Sequence, residues 1–135
     1  MNKSYIYTIT LITITLLISS CSKWDEKHLK EFSRITSPDS TVDAIKIVDW
    51  GGGALTKIVT LIYIVPAGTK INDYDTYLLS ATYVDSLALH WIKSGILEIN
   101  YNKGRIIKFQ NIWSSKLDEN KPYVVELRLV KVGKD

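Results

Sequence analysis

The chain has 135 residues, which is enough for one domain and too few for two of ordinary size. Hydrophobic residues make up 46% of it and charged residues 23%, so the composition excludes a disordered tail and a membrane protein with several spans. The formal net charge is only +3 and the basic residues are scattered, so no nucleic-acid partner is expected.

The first twenty residues have the pattern of a signal peptide. Lys3 supplies a positive charge, and residues 5–18 then form an uncharged run of 14 residues rich in Ile, Leu and Thr. This length suits the apolar region of a signal peptide and falls short of the roughly 20 residues that a membrane-spanning helix needs. The run ends in Leu17-Ile18-Ser19-Ser20-Cys21, which resembles the lipobox of bacterial lipoproteins.

The lipobox resemblance implies that Cys21 carries a lipid. In that family the cysteine thiol is acylated with diacylglycerol, the chain is cleaved before the cysteine, and the cysteine becomes the mature N-terminus. The resemblance also implies a lipid-anchored protein of the bacterial cell envelope, at the outer membrane by default, because Ser22 stands where an Asp would mark retention at the inner membrane. The alternatives are an uncleaved anchor and an ordinary secreted protein.

We accordingly divide the chain into a lipoprotein signal peptide (1–20), a lipidated N-terminus with a short tether (21–35) and a β domain (36–135). Trp24, His28, Leu29 and Phe32 could also form one stripe of a short helix, but we favour a tether whose second half docks on the domain. Cys21 is the only cysteine, so its lipidation leaves no disulfide to the domain, and the apolar core alone has to stabilise the fold.

The pattern after the tether is β almost throughout. The turn residues Ser37-Pro38-Asp39-Ser40 come first, and runs of β-branched and aromatic residues then predict strands over 42–49, 55–65 and 77–84. The next three runs (87–92, 96–101 and 105–109) are joined by three-residue connections that end in Gly95 and Gly104. Such connections favour hairpins, so these runs predict a three-stranded antiparallel meander.

Residues 111–122 predict a loop with at most one helical turn, and residues 123–132 predict the last strand. No stretch after Pro38 is rich enough in Ala, Leu and Glu for a core helix. The sequence therefore predicts an all-β fold, an antiparallel sandwich or small open barrel of about seven strands.

Several short segments resemble a group of small, uncharacterised bacterial proteins and lipoproteins. They are Ser37-Pro38-Asp39, Asp43-Ala44, Gly52-Gly53-Ala54-x-Thr56, Ile64-Val65-Pro66-Ala67-Gly68, and Trp91 with Leu97-Glu98-Ile99-x-Tyr101. The resemblance covers about 35–132, and the chain departs from it at Ser40, which replaces a turn glycine, and at Lys57, which replaces a threonine. That group has no known activity, so the resemblance implies a β domain and an envelope setting and no chemistry.

One polar and aromatic segment, residues 72–77, stands out as a candidate recognition loop, because tyrosine offers rigid amphipathic area at low entropic cost. Tryptophans at predicted strand or loop ends could add to it. The predicted partner-binding residues are Asp73, Tyr74, Asp75, Tyr77, Trp50 and Trp113. The alternative is a solvated loop whose tyrosines fold back over the core, with the tryptophans covering the ends of the sandwich.

No catalytic residue, metal or cofactor is predicted. Ser86 and His90 are four residues apart on one predicted strand, about 13 Å in extended chain, so they would not meet in a triad with Asp85. Two histidines and one lipidated cysteine do not supply a zinc site, and 72–77 lacks the spacing of a calcium loop. Gly51-Gly52-Gly53 precedes a predicted strand rather than a helix, which favours a hairpin over a phosphate loop.

These observations favour a membrane-anchored, non-catalytic binding or accessory module with an envelope protein as its partner. A specific version is an immunity or inhibitor lipoprotein that blocks a toxin or hydrolase, and a purely structural envelope protein is a further reading. The alternative from another class is a small hydrolase that uses two of the carboxylates Asp73, Asp75, Asp85 and Glu98, which requires the fold to bring them together in a cleft.

Overall fold

The computed structural model describes residues 29–49, 57–72, 75–118 and 121–133. Nine strands lie within them: β1 (Leu29–Thr36), β2 (Val42–Asp49), β3 (Val59–Pro66), β4 (Leu79–Thr82), β5 (Leu87–Lys93), β6 (Ile96–Tyr101), β7 (Arg105–Phe109), β8 (Ile112–Asp118) and β9 (Lys121–Lys131). They form a five-stranded sheet in the order β1-β2-β3-β4-β7 and a four-stranded sheet in the order β5-β6-β9-β8. The pairing of β6 with β9 is parallel, and the other pairings are antiparallel.

The two sheets pack face to face around one apolar core. Its buried side chains alternate along the strands with outward-facing ones, as a two-layer β fold requires. The core includes Val42, Ala44, Ile62, Ile64, Leu79 and Ala81 from the larger sheet, and Leu87, Leu97, Ile99, Val125 and Leu127 from the smaller one. The predicted all-β sandwich is therefore confirmed, with nine strands in the described residues instead of about seven.

Two strands lie where the sequence predicted none. β1 occupies Leu29–Thr36, so the β body takes in residues that we assigned to the tether. The alternation of inward-facing and outward-facing residues along β1 is interrupted, because a bulge at Phe32 shifts the register of β1 against β2. β8 occupies Ile112–Asp118, which corrects the predicted loop over 111–122. The middle of β8 is polar, so its sequence lacks the run of β-branched and aromatic residues that predicts a strand.

Of the predicted three-stranded meander, the first hairpin is confirmed and the pairing of the third strand is wrong. β5 and β6 do form a hairpin, and Gly95 adopts the positive φ of 78° that its connection needs. β7, however, leaves the four-stranded sheet and pairs with β4 in the other one. The connection before β7 crosses between the sheets and packs so tightly that a Cβ on Gly104 would lie 2.7 Å from Val84 Cγ2. A short glycine-containing connection therefore did not identify a hairpin here.

Both sheets end in irregular edges. The edge strands are β1 and β7 in one sheet and β5 and β8 in the other, and each contains a shift of register. The shifts fall at Phe32, Ile107, Ile92 and Lys116–Leu117, where the apolar side chains are exposed. Bulges interrupt the row of free N–H and C=O groups that a further strand would need, so these edges are poor templates for strand addition.

The strand registers define two ends of the sandwich. At the proximal end lie the paired residues Leu29, Asp49, Val59, Thr82 and Arg105 of the larger sheet, and Leu87, Tyr101 and Lys131 of the smaller one. The connections 83–86 and 102–104 cross between the sheets at this end. The distal end, opposite to it, carries the β1–β2 turn (37–41) and the β3–β4 connection (67–78).

Candidate functional site

The outer face of the five-stranded sheet is covered over its strands β2 and β3. The apolar side chains on this face of β2 and β3 form a second cluster of Ile45, Ile47, Tyr63 and Val65, against which Ile71 and Tyr77 of the β3–β4 connection pack. The Tyr77 ring meets Tyr63 edge-on, with 6.2 Å between ring centroids, and Lys108 Nζ lies 4.4 Å from the Tyr77 centroid. We call this surface the capped face.

A buried carboxylate attaches the same connection to the sheet. Asp43 is 2% exposed and accepts hydrogen bonds from the Gly68 amide (2.9 Å), the Thr36 hydroxyl (2.7 Å) and the Arg34 guanidinium (2.8 Å). Arg34 also donates to the Thr69 carbonyl at 2.9 Å. Burial acts to raise the pKa of Asp43, but these donors together hold that pKa below its usual value. Both carboxylate oxygens of Asp43 therefore accept hydrogen bonds that stabilise the fold.

A second carboxylate joins the two sheets at the distal end. Asp39, in the β1–β2 turn, accepts hydrogen bonds from the Ser37 hydroxyl at 2.6 Å and from the Tyr123 hydroxyl of β9 at 2.6 Å. The Thr41 amide donates to it at 3.2 Å. The Ser37 and Tyr123 hydroxyls lower the pKa of Asp39 from 3.8 to about 2. The Ser-Pro-Asp turn is therefore a clamp between the layers.

The outer face of the four-stranded sheet is uncovered in the part of the chain that the structure describes. Side chains that alternate with the core residues of β5, β6, β8 and β9 point outward, and most of them are exposed. Four are large aliphatic residues between 38% and 50% exposed: Ile92, Ile112, Val124 and Val130. We call this surface the open face.

Charged groups occupy the centre of the open face. His90, Glu98 and Arg128 lie in one row across β5, β6 and β9, with about 5 Å between neighbouring strands. Arg128 pairs with Glu126 at 2.9 Å, and Asn100 donates to Glu98 at 3.0 Å. The hydrogen bond from Arg128 lowers the pKa of Glu126. The open face thus combines an ordered charged centre with an aliphatic surround.

The described members of the predicted partner-binding set lie in two separate places, the β3–β4 connection and β8. Tyr77 is half-buried on the capped face, and Asp75 accepts a hydrogen bond from the Asn72 amide at 2.8 Å. Trp113 is half-buried on β8 and packs against the main core between the sheets. Asp73, Tyr74 and Trp50 lie outside the described residues. Among the described members of this set, none belongs to the open face.

The candidate carboxylates for hydrolysis also occupy separate places. Asp75 lies in the β3–β4 connection, Asp85 in the connection before β5, and Glu98 in the middle of β6. His90 lies beside Glu98, whereas Ser86 precedes the strand that carries His90. Within residues 29–49, 57–72, 75–118 and 121–133, no three His, Cys, Asp or Glu side chains are grouped as metal ligands would be.

Sequence reasoning missed both Asp43 with Arg34 and the open face. The pair of Asp43 and Arg34 could not be predicted because the two residues lie on different strands, and no local sequence pattern indicates that they are in contact. The sequence of β9 does contain a signal for the open face. Val124 and Val130 lie on the solvent-facing side of this strand, which also carries Glu126 and Arg128. Apolar residues on a predicted solvent face are informative when several occur together.

Comparison of the chain with protein-family models, curated proteins and solved structures gives no match. In the described part of the chain, no helix has the length and apolar character required to cross a bilayer. The two outer faces of the sandwich are therefore the features that bear on function.

Proposed function

We propose that this protein is a lipid-anchored, non-catalytic binding module of the bacterial cell envelope, and that its open face contacts a partner protein. The observation that supports the binding role is the contrast between the two outer faces. Among the described residues, the β3–β4 connection covers the β2–β3 part of one outer face through Ile71 and Tyr77, whereas aliphatic residues on the outer face of the other sheet are exposed.

The composition of the open face suits a protein interface. Exposed aliphatic side chains gathered on one rigid surface are typical of interaction sites, whereas single ones are common everywhere. Covering Ile92, Ile112, Val124 and Val130 would remove apolar area from water, which is the main favourable contribution to association. The strands hold these side chains in fixed positions, so binding would require little ordering of the backbone.

The charged centre would determine which partner binds. Arg128 is paired with Glu126, on which the charge of Lys93 also acts. Glu98 accepts its hydrogen bond from the neutral amide of Asn100. We therefore expect a partner surface that is apolar with a basic centre. Charge complementarity of this kind increases the association rate and excludes partners with acidic centres.

The structural roles of Asp39 and Asp43 support a function without catalysis. Asp39 and Asp43 accept hydrogen bonds from groups on other elements, and these contacts join the sheets and attach the β3–β4 connection. A catalytic carboxylate needs access to a reacting group, and Asp43 is almost fully buried.

Site-specific crosslinking in the bacterium that produces the protein tests this function. A photo-crosslinking residue at His90 samples the open face, and the same residue at Thr76 samples the β3–β4 connection as a matched control. We expect a discrete adduct from His90 that the substitution Glu98→Lys abolishes, and no such adduct from Thr76. Adducts that are equal at both positions, or that persist in Glu98→Lys, contradict the proposal. The crosslinked protein, once identified, decides between an accessory role and an inhibitory one.

A further inference from the structure

We infer that the proximal end of the sandwich rests on the anionic headgroups of the bilayer that holds the lipid anchor, so that the open face stands at right angles to the membrane. This inference rests on the lipid anchor of the proposed function and adds an orientation to it. The proximal end consists of residues 29–30, 49, 57–59, 82–87, 101–105 and 131–133, brought together by the registers of both sheets.

The charge of this end suits an anionic surface. Its described residues include five basic side chains, Lys30, Lys57, Lys103, Arg105 and Lys131, against two acidic ones, Asp49 and Asp85. Lys57, Lys103 and Arg105 are exposed and belong to the connections or strand starts that face outward at this end. Each basic residue close to an anionic leaflet favours association about five-fold, which is the equivalent of about 1 kcal/mol.

The same end presents apolar side chains. Tyr83 is 64% exposed, Val132 51% and Ile58 43%. Aliphatic and aromatic side chains among basic ones are the combination that inserts into the headgroup region, where tyrosine is especially favourable.

The backbone holds Tyr83 outward. Its φ of 56° is a conformation that bulky residues rarely adopt. This conformation occurs in the connection between the sheets, where Gly104 packs against the Tyr83 carbonyl and Val84. A strained residue that projects a large exposed side chain is a reason to look for a ligand of that side chain.

The position of the anchor limits which end can reach the membrane. β1 begins at Leu29 in the proximal end, and only seven residues separate it from Cys21. Seven residues span about 25 Å at most when fully extended. The eight residues of β2 alone cover about 26 Å along the sandwich, so contact of the distal end with the bilayer would require the tether to run the full length of the domain.

Fluorescence quenching by membrane-bound nitroxide tests the orientation on the acylated full chain. Acylation consumes the thiol of Cys21, so the variants Tyr83→Cys and Thr76→Cys each offer one thiol for a fluorophore, at the proximal end and in the β3–β4 connection respectively. The labelled proteins are reconstituted in vesicles of phosphatidylcholine and phosphatidylglycerol that contain headgroup-nitroxide lipid. We expect quenching several-fold stronger at position 83 than at 76.

Charge variants add an independent measurement. Changing Lys57, Lys103 and Arg105 to glutamine should reduce the quenching at 83, while the matched set Lys70→Gln, Lys116→Gln and Lys121→Gln should not. Equal quenching at 83 and 76 in vesicle-bound, acylated protein overturns the orientation and leaves the proposed binding role intact. Absence of an acyl group by mass spectrometry, with no vesicle binding, overturns the anchor and this inference together.

Discussion

The hydroxyl of Tyr123 donates a 2.6 Å hydrogen bond to Asp39, a residue 84 positions earlier in the chain. Tyr123 lies at the start of β9 in the four-stranded sheet, and Asp39 lies in the turn that joins the first two strands of the other sheet. The bond therefore links the two layers at their distal end. The Ser-Pro-Asp turn therefore joins the two sheets in addition to connecting β1 and β2.

Replacing Tyr123 with Phe removes this link and keeps the packing of the ring. We expect the free energy of unfolding to fall by about 1 kcal/mol, the usual value for one hydrogen bond, because Asp39 is exposed and water can replace the lost donor. Urea denaturation measures the change. Tyr101→Phe, at the other end of the same sheet, is the matched control and should change stability less.

The stability of the protein should depend on pH through Asp39. Its pKa is about 2 in the folded protein against 3.8 ordinarily, so its contribution is fully present above pH 4 and is lost as the pH falls from about 4 to about 2. Solvent screening of this exposed group limits the contribution to about 1 kcal/mol. Asp39→Asn should flatten the acid limb of a stability–pH profile, and an unchanged limb contradicts the assignment. Asp43 acts in the same direction, so part of the limb remains in that variant.

Asp43→Ala should be the most damaging of the polar substitutions. It leaves the Gly68 amide, the Thr36 hydroxyl and the Arg34 guanidinium without their common acceptor, at a cost of about 3 kcal/mol for a buried pair. Hydrogen exchange at the Gly68 amide should accelerate, because the β3–β4 connection loses its attachment. Glu31→Ala removes the exposed partner of Arg34 and should cost less than about 1 kcal/mol.

Ser40→Gly should stabilise the protein. Ser40 has a φ of 59°, in the left-handed region that glycine adopts without steric cost. We expect a gain of about 0.5 kcal/mol, since the greater freedom of glycine in the unfolded chain offsets part of the relief. Ser94→Gly, in a turn without positive φ at that residue, is the control and should be neutral or destabilising. Thermal unfolding of both variants distinguishes the two effects.

Gly104→Ala should destabilise the sheet crossing. The new Cβ would lie 2.7 Å from Val84 Cγ2 and 3.0 Å from the Tyr83 carbonyl oxygen, so the connection 83–86 would have to move, at about 2 kcal/mol or more. Gly68→Ala provides the comparison, because its φ of 76° is also positive but nothing lies within 4 Å of the new methyl group. We expect Gly68→Ala to cost only about 1 kcal/mol. Equal losses would show that conformation alone matters at both sites.

Much of the fold could be predicted from local patterns. The bounds predicted for β2, β6 and β7 agree with the structure, and those for β5 agree to within one residue. β1 and β8 were missed because their sequences are mostly polar or charged and lack the run of β-branched and aromatic residues that predicts a strand. The open face was harder to predict than the strands. The six partner-binding residues were chosen because they are aromatic or polar, whereas the open face consists of the strand side chains that point away from the core.

The sequence by itself determined that this chain forms β-strands and where most of them run, because side-chain alternation and turn residues are local properties of the chain. Only the tertiary structure decided that the strands form two layers, that β7 belongs with β4, that Asp43 and Tyr123 link separate elements, and that the β3–β4 connection covers β2 and β3 on one outer face. The physical reason is that strand pairing and the burial of a face depend on contacts between residues distant in sequence, and a three-residue connection can lead either to the neighbouring strand or across the sandwich.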